Sequence, residues 1–373
     1  MFVDVMLVLP VFLSVVAGAA IDLSPGASLM QSIDARDVAP TLDFTNSAWI
    51  WTGEQTGDSD IAPVGVRPFR RKIPSSATKC PVCATIILSC DDSHTLYVNG
   101  IEIGSGACYT SSGMHSALYT VGMNPEGDNV VAIAVNNDGG PAGLIAAIIV
   151  DYTDGTTENI VTDAAWKTIQ TTSPGGWTGP SFDDSTWVAA VSEGPTASTP
   201  WGTPPLPPAM DMTGVSWIWT NETNASGNDP LGHRPFRNTI TSPYGKAAVC
   251  GKVVITADDA YSLYVNGDFI GNGSSWRSMQ AYSIPQLDPN VNIIAVDGEN
   301  RASFNPQVGG VIAGFLIAYN DGTSHAYYTD NTWKTLTSVP PAGFEQTDMD
   351  DSAWITPKVY IHSDSATVTV PPA

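Results

Sequence analysis

The sequence predicts an all-β protein built from two tandem antiparallel β-sandwich (jelly-roll) domains joined by a Pro-rich linker. Three observations support this fold class. A series of sequence landmarks occurs twice, neither copy shows helical periodicity, and glycine (34) and proline (28) are frequent while charged residues make up only 14%. Such a composition favours short strands and turns over long helices.

The duplication covers most of the chain. Trp-Ile-Trp-Thr at 49–52 returns at 217–220, Arg-Pro-Phe-Arg at 67–70 returns at 234–237, and Leu-Tyr-Val-Asn-Gly at 96–100 returns at 263–267. From the Arg-Pro-Phe-Arg motif onward most offsets are equal, since 234 minus 67 and 354 minus 187 both give 167. Two long copies indicate tandem globular domains rather than a solenoid of short repeats.

Within each copy, apolar runs bounded by turn residues predict the strands. The predicted strands are 84–89, 95–98, 129–135 and 144–152 in the first copy, and 252–256, 262–265, 291–296 and 311–319 in the second. Asn99-Gly100 and Asn266-Gly267 lie between such runs, as do Asp154-Gly155 and Asp321-Gly322. These dipeptides predict type I′ hairpin turns, which need positive φ.

The predicted organisation begins with a signal peptide over 1–20, whose apolar run 5–16 ends in small residues. That run is too short for a membrane anchor. The remaining segments are a leader (21–45), a first jelly-roll domain (46–193), the Pro-rich linker (194–213), a second jelly-roll domain (214–362) and a C-terminal tail (363–373). We therefore expect a secreted protein, extracellular or associated with a cell wall, with no membrane insertion after signal removal.

The net charge limits the possible partners, and the acceptor triplets fit that compartment. The formal net charge of −22 disfavours nucleic acid as a partner. Three candidate N-glycosylation sites, Asn221, Asn224 and Asn272, all lie in the second copy.

Disulfides are the expected state of the five cysteines in an oxidising compartment, and zinc at Cys80-x-x-Cys83 is disfavoured there. Strand alternation directs Cys90 toward the core and gives Cys83 and Cys250 matching positions on a more polar face. One hypothesis pairs Cys83 with Cys250, bridging the copies, and Cys90 with Cys108. Four cysteines in one domain allow three pairings, so other connectivities stay open.

The order of the landmarks resembles a known family. Trp-x-Trp at 49–51, Phe-Arg at 69–70, Asp-Asp at 91–92, the motif at 96–100, Thr-Asp at 162–163 with Trp-Lys at 166–167, and Asp-Asp-Ser-x-Trp at 183–187 each have an equivalent in the second copy. This order is similar to the galactose-binding-like jelly rolls, and in particular to the accessory β-sandwich domains of α-L-rhamnosidases and related glycosidases. The resemblance implies a non-catalytic, often carbohydrate-binding module, sometimes with a structural calcium. The helical catalytic barrel that follows in rhamnosidases is absent from this sequence.

Several repeated motifs have a structural interpretation. Adjacent carboxylates such as Asp91-Asp92 and Asp183-Asp184 could serve glycoside hydrolysis, but neighbours on a strand point to opposite faces, which favours turn capping. Trp49 and Trp51, two apart on a strand, are expected on one face in the core. Arg70 and Arg237 are each expected to pair with a buried Asp. No catalytic residue is assigned, the metal ligands are unknown, and enzymatic activity is uncertain and disfavoured.

Function is expected where the two copies differ, because loops on a constant scaffold commonly carry binding residues. Those loops offer aromatic and planar hydrogen-bonding groups suited to sugar hydroxyls. The candidate ligand residues are Trp276, Arg277, Glu299, Asn300 and Arg301 in the second copy and Tyr109, His115, Asn136, Asn137 and Asp138 in the first.

The sequence thus predicts a secreted, non-catalytic, lectin-like protein that binds extracellular or cell-wall glycans. A structural or adhesive protein that binds other proteins is the first alternative. A glycoside hydrolase or polysaccharide lyase acting through loop carboxylates is the second.

Overall fold

The structure is a computed structural model, and it describes residues 42–55, 61–301, 307–361 and 368–373. The predicted signal peptide, most of the predicted leader and the loop residues 302–305 lie outside these ranges. Within them no α-helix occurs, and no helix is long and apolar enough to cross a membrane. The predicted all-β class is confirmed.

The strands between residues 48 and 195 form two antiparallel sheets, which we call the first sandwich. They are β1 (Ala48–Trp51), β2 (Gly65–Ile73), β3 (Pro81–Asp91), β4 (Ser93–Val98), β5 (Ile101–Ala107), β6 (Tyr109–Thr110), β7 (Gly113–Met114), β8 (Ala117–Gly122), β9 (Asn129–Asn137), β10 (Gly143–Tyr152), β11 (Thr157–Val161), β12 (Lys167–Thr168), β13 (Val188–Ala189) and β14 (Val191–Pro195). One sheet has the order β14-β1-β10-β3-β8 with β11 beside β10; the other has the order β13-β12-β2-β9-β4-β5. Trp51 and Ile86 from one sheet pack against Phe69 and Val131 from the other in a shared core.

The strands between residues 217 and 360 form the second sandwich in the same way. They are β15 (Trp217–Trp219), β16 (Gly232–Thr241), β17 (Ala248–Asp258), β18 (Ala260–Val265), β19 (Asp268–Gly273), β20 (Gln280–Ile284), β21 (Val291–Asn300), β22 (Gly310–Tyr319), β23 (Ser324–Tyr328), β24 (Lys334–Thr335) and β25 (Lys358–Tyr360). Its sheets have the orders β20-β17-β22-β15-β25, with β23 beside β22, and β19-β18-β21-β16-β24.

Both Asn-Gly turns have the predicted geometry, because Asn99 and Asn266 each have a φ of 53° and are followed by glycines with positive φ. The Asp154-Gly155 turn differs from the prediction. Among its residues only Gly155 has positive φ, at 79°, and Asp154 Oδ1 accepts the N–H of Thr156 at 2.9 Å. The loop is long enough to satisfy its own hydrogen bonds without a type I′ turn.

The repeated tryptophans are buried as predicted, but on two faces rather than one. Trp51 contributes to the core of the first sandwich, whereas Trp49 packs on the outer side of the same sheet with Leu42 and Phe44. The register of β1 shifts between Trp49 and Ile50. Trp217 and Trp219 divide between an outer cluster and the core in the same way, although β15 pairs with β25 in continuous register, so the bulge is not the general cause.

Chain segments outside the predicted domains are also packed. Leu42 and Phe44, at the end of the predicted leader, are 1% and 2% exposed. Trp201 from the Pro-rich segment stacks on Trp49 with a centroid distance of 4.6 Å. Ala373 donates its N–H to Pro207 O at 3.0 Å.

The two sandwiches are in direct contact. A disulfide joins Cys83 of β3 to Cys250 of β17 across a sequence separation of 167 residues. Val249 lies against Gly122, where an added Cβ would come within 2.8 Å of the valine side chain. The structure also contains the second hypothesised disulfide, between Cys90 and Cys108, and Cys80 is a free thiol.

Candidate functional site

A polar cavity of about 300 Å³ lies on the outer face of the sheet β19-β18-β21-β16. Cross-strand register brings its side chains together: Ser262 on β18 is opposite Asp297 on β21, and His233 on β16 is opposite Glu299. Asn272 on β19 is opposite Ser262. The lining residues are His233, Ala260, Tyr261, Ser262, Asn272, Gly273, Ser274, Asp297, Glu299 and Arg301.

An ion-pair network organises the charged wall of this cavity. His233 Nδ1 lies 3.0 Å from Asp297 Oδ2, and its Nε2 lies 3.8 Å from Glu299 Oε1. Arg301 Nη2 donates to Glu299 Oε2 at 2.6 Å. The hydrogen bond from Arg301 lowers the pKa of Glu299, whereas burial, together with the charge of Glu299, raises the pKa of Asp297 against the opposing effect of His233.

Asp259 positions the loop that carries Arg301. Its N–H donates to Glu299 O at 2.8 Å, and its Oδ2 accepts the N–H of Arg301 at 2.6 Å. In the first sandwich Asp92 makes the same pair of hydrogen bonds, with Asn136 O at 2.8 Å and the N–H of Asp138 at 2.6 Å. This capping role accounts for the second aspartate of each Asp-Asp motif without catalysis.

The first sandwich does not reproduce the charged wall. By strand register its equivalents of His233, Asp297, Glu299, Arg301 and Asn272 are Val66, Ala134, Asn136, Asp138 and Ser105 respectively. Asn136 Nδ2 donates to Asp138 Oδ1 at 2.8 Å, so these two side chains satisfy each other. The two sandwiches therefore share a backbone frame but differ in the chemistry of this face.

Of the candidate ligand residues, Glu299 and Arg301 line the cavity. Asn300 and its equivalent Asn137 do not: their side chains are 2% and 0% exposed. Asn300 Nδ2 donates to Pro230 O at 3.0 Å, and Asn137 Nδ2 donates to Ala62 O at 3.1 Å. Both side chains hold neighbouring loops in place, and neither is accessible to a ligand.

The other candidates lie outside the cavity lining. The Arg277 guanidinium stacks 4.6 Å from the Trp276 ring, and Trp276 packs on the outer-face cluster that includes Val368 and Val370. In the first sandwich Tyr109 is 51% exposed. His115 Nε2 there lies 3.1 Å from Ser112 Oγ.

Sequence reasoning missed His233, Asp297 and Ser262. Strand alternation could have placed Asp297 on the same face as Glu299, since they are two residues apart on one strand. His233 on β16 and Ser262 on β18 reach the cavity through the register between strands that are distant in sequence. A single sequence does not reveal that register.

Other polar groupings have structural roles. Cys90, His94 and Cys108 lie close enough together to hold a metal ion, but both sulfurs belong to one disulfide and are not available as thiolates. Elsewhere in the described ranges, no three His, Cys, Asp or Glu side chains approach one another in this way. Calcium also takes main-chain carbonyl oxygens and water as ligands, so the structural calcium that the family resemblance implies stays a prediction.

The paired aspartates near the end of each copy are also structural. Asp184 accepts hydrogen bonds from Arg70 Nε and Lys167 Nζ, both at 3.1 Å, and is 3% exposed. These hydrogen bonds lower the pKa of Asp184 against the raising effect of burial. Asp183 Oδ1 caps the N–H of Ser185 at 2.9 Å. The arrangement suits neither a general acid nor a nucleophile.

The paired jelly rolls and the polar cavity define a tandem β-sandwich protein with a candidate ligand site. No family model matches the sequence. The lectin of Pleurotus ostreatus, solved in complex with GalNAc, superimposes with a TM-score of 0.78 and 39% identity over 89% of this chain and 97% of that one. The apo form of the same lectin matches equally, over 96% of its length. The chain belongs to the same family as this lectin.

This chain corresponds to only part of a second, longer relative. The α-L-rhamnosidase of Streptomyces avermitilis is 25% identical over an alignment of 360 positions that covers 85% of this chain and 32% of the enzyme. The chain thus spans about a third of the length of that relative.

Proposed function

We propose that this protein is a secreted lectin that binds extracellular or cell-wall glycans without cleaving them, through the cavity of the second sandwich. One observation carries the proposal: four adjacent strands direct His233, Ser262, Asn272, Asp297 and Glu299 into a single concave polar site. The Pleurotus ostreatus lectin, a member of the same family, has been crystallised with GalNAc, which supports a sugar as the ligand class.

The chemistry of the cavity suits a hydroxylated ligand. Asp297 and Glu299 accept hydrogen bonds, Arg301 and the Asn272 amide donate them, and the Ser262 hydroxyl can do both. A volume of about 300 Å³ lies at the lower end of the range for ligand sites, roughly 300–1,000 Å³. A monosaccharide or disaccharide is therefore the expected occupant.

A second candidate function, glycoside hydrolysis, is favoured by one observation. Asp297 and Glu299 share the cavity, and their environments move their pKa values in opposite directions. Such divergence is a feature of acid and base pairs. We favour binding over hydrolysis. His233 contacts both carboxylates and Arg301 donates a hydrogen bond to Glu299, so neither carboxylate is free to act on a glycosidic bond.

A glycan array with the chain produced in a bacterial periplasm, which forms disulfides but does not N-glycosylate, tests this proposal. Wild-type protein should bind a defined set of glycans, and Glu299→Ala with Arg301→Ala should lose at least tenfold in affinity. Trp276→Ala with Arg277→Ala is the matched control, because these residues come from the same loop prediction but lie outside the cavity. A blank array, or a loss confined to the control variant, would remove the proposal; release of reducing sugar would favour hydrolysis.

A further inference from the structure

We propose that Asn272 carries an N-linked glycan that covers the cavity, so that glycosylation controls access to the ligand site of the second sandwich. This inference rests on the proposed function, both for the role of the cavity and for passage of the chain through a secretory pathway. It concerns regulation of that site rather than the identity of its ligand.

The acceptor sequence forms part of the cavity wall. Asn272, Gly273 and Ser274 all line it, and Asn272 and Ser274 are exposed. β19 is the edge strand of its sheet. A sugar attached at Asn272 Nδ2 would begin at the rim of the cavity that contains Glu299 and Arg301.

The backbone at this rim is held in place, which fixes where the glycan would start. Tyr282 Oη donates to Asn272 O at 3.0 Å. Gly273 has no space for a side chain, because a Cβ there would lie 2.6 Å from Tyr261 Cε1. The first attached sugar would therefore have a defined position beside the ligand groups instead of on a freely moving loop.

The other candidate acceptor sites do not share this position. Asn221 and Asn224 are exposed but are not part of the cavity lining. Asn224 Oδ1 accepts the N–H groups of Ser226 and Asn228 in its own loop, at 2.9 and 3.0 Å. The first sandwich has Ser105 at the position of Asn272 and no acceptor triplet there, so this control is confined to the second sandwich.

The modification needs an oligosaccharide donor linked to a lipid through pyrophosphate. The Asn272 Nδ2 would form a bond to C1 of the reducing-end sugar as the bond from C1 to the pyrophosphate oxygen breaks. The lipid pyrophosphate leaves with the electron pair, and Nδ2 loses one proton. The transfer takes place on the unfolded chain, so the folded protein needs only to leave Asn272 exposed.

Comparison of two expression hosts tests the inference. The chain is produced in a eukaryotic secretory host and in a bacterial periplasm that forms disulfides but lacks N-glycosylation. Peptide mapping measures occupancy of Asn272, and array binding is compared between hosts for each variant. We expect occupied Asn272 and at least tenfold weaker binding in the eukaryotic material.

Two matched variants sharpen the comparison. For Ser274→Ala, which destroys the acceptor triplet, the difference between hosts should disappear. For Asn221→Gln with Asn224→Gln, the difference should persist. Unoccupied Asn272 in the eukaryotic material, or equal binding of occupied and unoccupied protein, would overturn this inference alone, whereas bacterial material that binds no glycan would overturn the proposed function as well.

Discussion

Arg70 and Asp184 form a buried ion pair between residues 114 positions apart, with Arg70 Nε 3.1 Å from Asp184 Oδ2. Arg237 and Asp351 repeat the pair in the second sandwich with the same distance and separation. Each guanidinium also donates to two main-chain carbonyls, those of Trp177 and Gly179 in the first sandwich. The Arg70 pair thus connects β2 to residues 177–184 in the first sandwich. The Arg237 pair connects β16 to residues 344–351 in the second.

Loss of one partner should be costly because the remaining carboxylate and carbonyls stay buried. We expect Arg70→Met to lower the free energy of unfolding by about 3–5 kcal/mol. Arg71→Met is the control: Arg71 is partly exposed, lies 3.7 Å from Asp163, and should cost under about 1 kcal/mol. Urea titration followed by tryptophan fluorescence measures both. Similar losses for the two variants would contradict the structural role of Arg70.

The disulfide between the sandwiches should contribute more stability than the one within the first. The chain-entropy model gives about 5 kcal/mol for a loop of the size closed by Cys83–Cys250, and about 3 kcal/mol for that of Cys90–Cys108. We expect Cys83→Ala with Cys250→Ala to split one calorimetric transition into two, because the halves then unfold separately. Cys90→Ala with Cys108→Ala should keep a single transition; the reverse pattern would contradict this assignment.

His94 should make the protein less stable in mild acid. Burial lowers its pKa to about 4, against the opposing effect of a hydrogen bond to Gly106, and its Nε2 lies 2.8 Å from Tyr119 Oη. The unfolded chain has a histidine pKa of about 6.5. The contribution of His94 is therefore fully present above pH 6.5 and is lost as the pH falls toward 4.

Unfolding free energies at pH 7 and pH 5 measure this effect. The decrease between these two values should be smaller for His94→Gln than for the wild type. His325→Gln, a change at an exposed histidine, should leave the decrease unaltered. An identical decrease in all three proteins would argue against a neutral buried His94.

The cavity should select neutral glycans over anionic ones. Asp297 and Glu299 face Arg301 and His233, so the wall has no surplus of positive charge for a sulfate or carboxylate, and the chain carries a net charge of −22. We expect sulfated or sialylated forms of a bound glycan to bind at least fivefold more weakly at low ionic strength, with a smaller difference in high salt. Glu299→Gln should reduce the preference for neutral over anionic glycans. Equal binding of the neutral and sulfated forms of a glycan by the wild type would contradict the predicted preference.

The sequence predicted the features that local pattern determines. The fold class, the Asn-Gly turns, the two Arg–Asp pairs and burial of the repeated tryptophans could all be inferred from spacing and alternation. The separation of Trp49 from Trp51 could not, because Leu42 and Phe44, which pack with Trp49 on the outer face, lie outside the repeated motifs. The burial of Asn300 could not be predicted either, because its hydrogen-bond partner Pro230 lies on another loop, 70 residues away in sequence.

The sequence predicted the cavity only in part. Glu299 and Arg301 differ between the copies and could be singled out by comparison of the copies. His233 and Asp297 differ as well, but His233 belongs to β16, which is distant in sequence from the segment that carries Glu299 and Arg301. Their convergence depends on four-strand register, which only the folded sheet defines.

Segments near residues 42, 210 and 373 cover parts of the outer faces of the sandwiches. Ala373 belongs to the cluster of the first sandwich with Leu42, while Met210, beyond the prolines, belongs to that of the second. Severing the chain near residue 213 would leave each fragment without part of its surface covering.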